Sequence, residues 1–335
     1  MKEAMLFERL ADNKVRCNLC NHRCILPEGG KGVCRVRVNE GGRLYTLVYG
    51  KTISQHIDPI EKKPLYHFLP GSRTYSIATP GCNFHCQWCQ NWGIVHMSMD
   101  DYDTLGRKAK PAEIVSSAKL SGSQSIAYTY TEPTVFFEYV YETAKLAHQE
   151  GLRNVFVTNG YMTTEMLDIF HPYLDAANVD LKAFRDETYH HYVGAELQPI
   201  LNNLKKMKEL GIWLEVTTLI VPGLNDDPAE LRDAAQFIFK EIGPETPWHI
   251  SRFIPHHKMS DRPPTPLVTL SQAREIGIEE GLHFVYIGNV AADSNTYCNK
   301  CGRLLIHRKG FLVHEINLQE WCCPVCGESI AGIWE

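Results

Sequence analysis

The chain has 335 residues, of which 44% are apolar and 22% charged, and its formal net charge is −5. This composition is that of an ordinary soluble globular protein and excludes disordered and collagen-like classes. The mild acidity argues against a nucleic-acid-binding role, because such binding depends on clustered Lys and Arg. No apolar run approaches the roughly 20 residues that span a bilayer. The first nine residues carry acids where a signal peptide would be basic and then apolar, so we expect a cytoplasmic protein without a membrane segment.

The chain contains 12 cysteines, and their distribution is more informative than their number. Disulfides are not expected, because the cytoplasm keeps thiols reduced. Tight groups of cysteines separated by cysteine-free chain are typical of separate metal sites. The groups are Cys17, Cys20, Cys24 and Cys34, then Cys82, Cys86 and Cys89, then Cys298, Cys301, Cys322, Cys323 and Cys326.

Residues 1–73 form the first predicted region and carry the first group, with the spacing C-x2-C-x3-C-x9-C. Four thiolates can close a metal site, and a glycine-rich turn at residues 29–32 allows the chain to fold back and bring Cys34 to the other three. Zinc would make this site a structural element, whereas an iron–sulfur cluster would make it an electron relay or a substrate anchor. The spacing leaves zinc and iron–sulfur equally open.

Residues 74–290 alternate between strand-like and helix-like segments, which indicates parallel strands joined by right-handed crossovers. The number of strands falls short of a closed eightfold barrel, so we predict an α/β fold with a partial, TIM-like barrel of (β/α)6 type. The predicted strands are residues 74–79, 125–130, 154–158, 177–181, 213–221, 248–253 and 283–290. The predicted helices are residues 111–120, 134–150, 163–171, 199–210, 227–242 and 271–280.

The second cysteine group, Cys82, Cys86 and Cys89, directly follows the first predicted barrel strand. In a (β/α) barrel the loops after the strands carry the chemistry. Three thiolates spaced as C-x3-C-x2-C can bind three irons of a [4Fe–4S] cluster and leave the fourth iron open, which is what catalysis needs. The alternative is a zinc site completed by His85 or by a distant residue.

Residues 291–335 form the third predicted region, a tail with two matching C-x2-C-G knuckles. Two such knuckles make the tetrahedral four-thiolate site of a zinc ribbon, which can fold a segment too small to hold a core of its own. A rubredoxin-like iron site would use the same ligands. The predicted ligands are Cys298, Cys301, Cys323 and Cys326. Cys322 is left over, and we expect the tail to act as a lid or as a protein-docking element.

The three-cysteine motif, the aromatic residue before its last cysteine and the barrel resemble the radical S-adenosylmethionine (SAM) superfamily. The resemblance implies that the open iron of a [4Fe–4S] cluster on Cys82, Cys86 and Cys89 binds SAM. One-electron reduction would then cleave SAM to methionine and a 5′-deoxyadenosyl radical, which abstracts hydrogen from a substrate. A low-potential donor such as flavodoxin or ferredoxin would supply the electron, and the enzyme would be an oxygen-sensitive oxidoreductase.

The resemblance also implies a set of SAM-contacting residues at the strand ends. They are Trp88, Glu132, Asn159, Asp180 and Lys182. Glu132 would contact the SAM amino group. The alternation of side chains along a strand places Asp180 and Lys182 on one face, where a carboxylate bound by the lysine would offset the cost of burying charge. The alternatives are a plain core aromatic at Trp88, a solvated carboxylate at Glu132, a simple turn at Asn159 and an ion-paired Asp180 and Lys182.

Further segments extend the resemblance over nearly the whole chain. Residues 57–65, 128–134, 219–225 and 248–255 look like those of the AmmeMemoRadiSam-system radical SAM enzymes, which are relatives of the pyruvate formate-lyase activating enzymes. Two substrate classes follow from this resemblance. One is a protein backbone glycine, as in the activases of glycyl radical enzymes, and the other is a small metabolite or a peptide side chain.

A different class of function is a non-catalytic interaction protein stabilised by three zinc sites. Metal content separates the two hypotheses, because a cubane-containing protein purified without oxygen is brown and holds at least about four irons per chain. The sequence does not name the substrate.

Overall fold

The computed structural model describes residues 1–97 and 106–335 of the chain. The N-terminal part is built of short strands. They are β1 (Lys2–Glu3), β2 (Phe7–Arg9), β3 (Val15–Cys17), β4 (Ile25–Leu26), β5 (Arg37–Glu40), β6 (Arg43–Thr46) and β7 (Lys51–Thr52). The first six of these strands form two antiparallel sheets, in the orders β1-β6-β5 and β2-β3-β4.

One large sheet forms the centre of the molecule. Its strands are β8 (Ser54–Pro59), β9 (Arg73–Ala78), β11 (Ser125–Tyr128), β12 (Arg153–Thr158), β13 (Ala176–Asp180), β14 (Trp213–Ile220), β15 (Trp248–Arg252) and β16 (Val285–Gly288), while β10 (Arg107–Lys108) pairs with β7. The last seven strands of the sheet are parallel and follow one another in chain order, and β8 lies antiparallel at the edge beside β9. Within the described residues β8 and β16 do not pair, so the predicted partial barrel is confirmed.

Helices connect the parallel strands. They are α1 (Trp92–Val95), α2 (Pro111–Leu120), α3 (Phe137–Gln149), α4 (Thr164–Phe170), α5 (Asp186–Thr188), α6 (Gln198–Glu209), α7 (Pro228–Phe237) and α8 (Leu267–Glu279). Short 3₁₀ segments are Ile60–Lys62, Pro133–Phe136, His171–Tyr173 and His257–Met259, and π segments are Tyr189–Val193 and Ile238–Ile242. Two helices have side-chain N-caps of the expected kind: the side chains of Thr163 before α4 and Asp227 before α7 accept bonds from Met166 N and Glu230 N. All six predicted helices are present; α8 begins four residues early, directly after Pro266.

The N-terminal region is joined to the barrel by a buried ion pair. The Arg37 guanidinium donates to both carboxylate oxygens of Glu138 on α3, at 2.9 and 2.7 Å, and both side chains are almost fully buried. The strand β8 also belongs to the central sheet although it lies within residues 1–73. The N-terminal region is therefore packed onto the barrel as part of its structure.

The C-terminal tail forms a three-stranded antiparallel sheet of β17 (Thr296–Tyr297), β18 (Leu304–Lys309) and β19 (Leu312–Ile316). It packs against the amino-terminal end of the barrel: Ile333 bridges to Phe68 and packs near Trp213, the first residue of β14. The cysteine loop at Cys82 lies at the opposite end, after the last residue of β9. The expectation that the tail is a lid over the site is therefore wrong.

Several polar groups at the amino-terminal end, centred on Glu215, satisfy one another. The buried Glu215 carboxylate accepts bonds from the backbone N–H groups of Tyr66 and His67, at 2.9 and 2.7 Å, and from His249 Nε2 at 2.6 Å. His67 Nδ1 lies 2.8 Å from the Ala331 carbonyl and its Nε2 lies 2.7 Å from the Tyr286 hydroxyl. Burial would raise the pKa of Glu215, but His249 beside it lowers that pKa.

Candidate active site

The carboxyl ends of the barrel strands surround a cavity of about 310 Å³. Loops after β9, β11 and β12 and the ends of β13, β14 and β15 contribute to its wall, as expected for a (β/α) fold. The cavity wall contains every residue that the sequence analysis predicted to bind SAM or the iron–sulfur cluster. These are Cys82, Cys86, Cys89, Trp88, Glu132, Asn159, Asp180 and Lys182. Their individual roles stay predictions.

The loop that carries the three cysteines is held in place by close packing and by backbone hydrogen bonds. Gly81 has a φ of 104°, and a Cβ at this position would lie 2.7 Å from a methyl group of Val36, so only glycine fits. The N–H groups of His85 and Gln87 donate to the carbonyls of Val193 and Tyr192, at 2.8 and 3.0 Å. The π segment that follows α5 therefore fixes the cysteine loop from its other side.

Among the described residues, the three thiols of this loop do not form a compact site for a single metal ion. Within the described residues, the sulfurs of Cys82, Cys86 and Cys89 and the nitrogens of His85 do not form a group whose ligand atoms all lie within 4.8 Å of one another. The alternative of a zinc ion completed by His85 is therefore not supported. Three thiols that border an open cavity, without a fourth protein ligand among the described residues, fit a cubane with one open iron.

Burial opposes ionisation of these thiols. It raises the pKa of Cys86 to about 12, and it also raises the pKa values of Cys82 and Cys89. Thiolates are the metal-binding form of cysteine, so metal binding here must displace protons from the thiols. Free thiolates are therefore disfavoured at this position.

Glu132 is buried and well hydrogen-bonded. Its Oε1 accepts bonds from Thr134 N, Thr134 Oγ1 and Thr158 Oγ1, at 3.0, 2.6 and 2.8 Å, and its Oε2 accepts one bond from Asn159 N at 2.8 Å. The alternative of a solvated carboxylate is therefore wrong. A carboxylate oxygen has two lone pairs, so Oε2 keeps capacity for one further donor on the cavity side. Burial raises the pKa of this carboxyl group.

Asn159 connects the strand end to the cysteine loop. Its Nδ2 donates to Asn83 Oδ1 at 2.7 Å and lies 3.9 Å from Cys82 Sγ, while its Oδ1 accepts a bond from Tyr161 N at 3.1 Å. The side chain therefore does more than form a turn. Sequence reasoning missed Asn83, although it lies inside the cysteine motif and its carbonyl lies 2.7 Å from His22 Nε2.

Asp180 and Lys182 form an ion pair at the edge of the cavity, with 2.7 Å between Lys182 Nζ and Asp180 Oδ2. Both side chains remain partly accessible. Burial lowers the pKa of Lys182, but Asp180 outweighs burial and the net pKa lies above its usual range. An ammonium group has three donors, so Lys182 keeps donors for a ligand carboxylate.

A second polar group beside the cavity was missed by the sequence analysis: Lys62, Lys63 and Tyr130 line the cavity wall and converge on Asp58 behind it. Asp58 accepts bonds from Lys62 Nζ at 2.9 Å, from Lys63 Nζ at 2.7 Å and from the Tyr130 hydroxyl. Burial acts to raise the pKa of Asp58, but Lys63 and Tyr130 hold it below its usual range. Tyr130 also has a φ of 64°, which is unusual for a non-glycine residue. The sequence feature that could have indicated this group is the pair of lysines that follows Asp58, just before the first predicted strand.

The tail forms a compact four-cysteine site. Its four Sγ atoms all lie within 4.8 Å of one another, with 3.6 Å between Cys298 and Cys326 and 3.6 Å between Cys301 and Cys323. A tetrahedral zinc site with Zn–S bonds of ~2.3 Å has sulfur–sulfur edges of about 3.8 Å. The predicted four-cysteine group is therefore confirmed, and Cys322 lies outside it.

No helix among the described residues is long and apolar enough to cross a membrane. The structure combines a partial (β/α) barrel with a three-cysteine loop at the carboxyl end of its first parallel strand. Residues 76–238 match the family model of the radical SAM superfamily. The chain is 48% identical over 334 residues to an uncharacterized protein of Methanocaldococcus jannaschii. The alignment covers 98% of this chain and 99% of that protein. The chain belongs to the radical SAM superfamily, whose members catalyse radical reactions.

Two further similarities agree with this membership. A putative glycyl-radical enzyme activating enzyme of M. jannaschii is 24% identical over 220 residues, covering 64% of this chain and 79% of that protein. The structure of SuiB from Streptococcus suis bound to its precursor peptide SuiA has a TM-score of 0.51 and 14% sequence identity, covering 68% of this chain and 51% of that chain. The second similarity shows a shared fold alone. The first is a similarity to a putative activating enzyme.

Proposed function

We propose that the chain is a radical SAM enzyme whose Cys82, Cys86 and Cys89 hold a [4Fe–4S] cluster. When bound, the cluster supplies the electron that cleaves SAM to methionine and a 5′-deoxyadenosyl radical, which abstracts hydrogen from a substrate. The observation that carries the proposal is that three thiols, one group that can bind a carboxylate and one that can bind an amine line the same open cavity. A reduced flavodoxin or ferredoxin would be the electron donor, in the cytoplasm.

The cavity residues divide the binding of SAM between them. Lys182 presents its free donors to the carboxylate of SAM, and Asp180 keeps the ammonium in position. Glu132 Oε2 has room for one further donor and would accept a bond from the SAM amino group. Trp88, which is 3% exposed, closes the wall beside Cys89 and excludes water.

The similarity to an activating enzyme supports a glycine of a partner protein as the substrate class, with a small metabolite or a peptide side chain as the alternative. The four-cysteine site of the tail would hold zinc as a structural ion, because its sulfur spacing suits a tetrahedral site. The tail lies away from the cavity, so we assign it no part in the reaction.

The test is the formation of 5′-deoxyadenosine from SAM under anaerobic conditions with dithionite. The triple variant Cys82→Ala, Cys86→Ala, Cys89→Ala should lose this activity completely. Its iron content should also be lower than that of wild type by about four irons per chain. Cys322→Ala is the matched control, because this cysteine lies outside every predicted site, and it should keep both. Cleavage by the triple variant would reject the site. Colourless wild-type protein that holds only zinc would instead support the non-catalytic interaction protein.

A further inference from the structure

The N-terminal cysteines enclose a cavity of their own. Cys17 ends β3, Cys20 and Cys24 lie in the loop that follows, and Cys34 comes after the turn at Gly32. All four thiols line one small cavity, whose remaining wall is largely apolar. Its other lining residues are Leu19, Gly32, Val33, Arg37, Thr134 and Val135. Four thiols from separate positions that face one enclosed space indicate a ligand and not four unrelated core residues.

The spacing of these thiols differs from that of the tail. Within the described residues the tail has the one group of three or more metal-binding side chains whose ligand atoms all lie within 4.8 Å of one another, so no three of the N-terminal sulfurs meet that limit. A single zinc ion requires sulfur–sulfur edges of about 3.8 Å. Thiolates around a cubane are further apart, because each binds a different iron. Among the described residues neither the N-terminal set nor Cys82, Cys86 and Cys89 forms the compact group that a single zinc ion requires.

Histidine does not complete a mixed zinc site at this position. His22 lies between Cys20 and Cys24 in the sequence, but its Nε2 is 2.7 Å from the Asn83 carbonyl. That contact directs the ring toward the loop after Cys82. The ligand set offered by this region is therefore four thiolates.

A buried donor without a partner also faces this region. Arg37 lines the cavity and is 2% exposed, and its two terminal nitrogens are occupied by Glu138 and by the Met5 carbonyl. Its Nε has no hydrogen-bond partner. A buried N–H group without an acceptor is costly, and thiolate or sulfide acceptors within the cavity would relieve that cost. A cluster supplies such acceptors in greater number than a zinc ion.

We propose that Cys17, Cys20, Cys24 and Cys34 bind a second [4Fe–4S] cluster, distinct from the one assigned to the active site. All four irons would be ligated by the chain, so this cluster does not bind SAM or anchor a substrate through an open iron. It adjoins the active-site loop, since the Cys34 carbonyl lies 3.2 Å from the position of a Cβ on Gly81. The inference does not depend on the proposed function, because it rests on a different set of residues.

Acid-labile sulfide separates a cluster from zinc or from a mononuclear iron, since only clusters contain it. Full-length protein is reconstituted anaerobically with iron and sulfide, and iron, zinc and sulfide are measured per folded chain. Wild type should contain about eight labile sulfides, and the Cys20→Ala, Cys24→Ala variant about four, as each cubane holds four. The Cys322→Ala control should match wild type. Retention of the tail metal and of the circular dichroism spectrum shows that the double variant is folded.

The active-site triple variant provides a second measurement that leaves the N-terminal cysteines intact. It should keep about four labile sulfides and, after reduction, the electron paramagnetic resonance signal of a [4Fe–4S]⁺ cluster. A triple variant without sulfide, or a Cys20→Ala, Cys24→Ala variant that loses zinc but keeps all its sulfide, would overturn the second cluster. A triple variant that keeps the full wild-type sulfide content would contradict the proposed function instead, while the double variant still decides the N-terminal site.

Discussion

The two ends of the barrel both bury charged side chains, but they use them differently. At the amino-terminal end, Glu215 accepts bonds from two backbone N–H groups and from His249, and the tail covers the network. At the carboxyl end, Lys182 has one carboxylate partner and faces an open cavity. A buried charge therefore does not by itself mark a binding site. The mark is a charged group that keeps unused hydrogen-bonding capacity next to open space.

The largest effect that tests this comparison is expected at the amino-terminal end. Arg308 is buried, donates to Thr296 Oγ1 and the Tyr66 carbonyl at 2.7 Å each, and lies 3.6 Å from the buried Glu61 carboxylate. Arg308→Met leaves Glu61 without its cation, and breaking such a buried pair costs about 3–5 kcal/mol. We expect the free energy of unfolding, measured with urea, to fall by this amount.

The exposed Arg303 is the matched control, and Arg303→Met should leave the free energy of unfolding almost unchanged. SAM cleavage per folded chain should stay at the wild-type level in both variants, because the two arginines lie away from the cavity. A loss of cleavage in folded Arg308→Met protein would mean that the two ends of the barrel are coupled, and the comparison would fail.

The pH dependence of stability gives the second prediction. Burial lowers the pKa of His67 to about 4 against an ordinary value of 6.5, with Arg308 and His249 also lowering it and Glu215 and the Ala331 carbonyl opposing. The unfolded chain therefore binds a proton that the folded chain does not, between these two pH values. The contribution of neutral His67 to the free energy of unfolding is fully present above pH 6.5. It is lost as pH falls toward 4, and the loss is about 3 kcal/mol in total.

Urea unfolding of wild type and of His67→Gln, each from neutral to mildly acidic pH, measures this contribution. The variant should be less stable at neutral pH and should lose less stability on acidification than wild type. His148→Gln, on the exposed face of α3, is the control and should keep the wild-type slope. Parallel slopes for wild type and His67→Gln would show that His67 is not the group that titrates.

The barrel was predictable because its signals are local. Hydrophobic periodicity located all seven parallel strands, and strand ends pointed to Cys82, Glu132 and Asp180 as neighbours. The strand β8 gave no such signal, since its only large apolar residue, Ile57, is 52% exposed and the strand is defined by pairing with β9. Pairing energy between distant segments leaves no local pattern.

The position of the tail was not predictable for the same reason. The bridge between Phe68 and Ile333 joins the two predicted flanking regions across the whole chain, and neither residue carries a pattern that names the other. The role of the N-terminal thiols was open because spacing along the sequence does not give distances between sulfurs. In the structure the sulfurs of the tail set form one compact group, and those of the N-terminal set do not.

The smallest effect is expected at the carboxyl end and concerns Lys182. Lys182→Met removes the ammonium that we assign to the SAM carboxylate, and a hydrogen bond to a charged group contributes about 1.5–3 kcal/mol. We expect the KM for SAM in 5′-deoxyadenosine formation to rise about tenfold or more, with unchanged iron content because lysine is not a ligand. Lys205→Met, on the exposed face of α6, should leave the KM unchanged.

The variant also leaves Asp180 without its partner, so an increase in KM has two explanations. The double variant Asp180→Asn, Lys182→Met removes the unpaired charge and distinguishes them. If Lys182 binds the SAM carboxylate directly, the KM of the double variant stays as high as that of Lys182→Met. If the increase came from repulsion between Asp180 and SAM, the double variant returns toward the wild-type KM, and Lys182 would then belong with the paired charges of the opposite end.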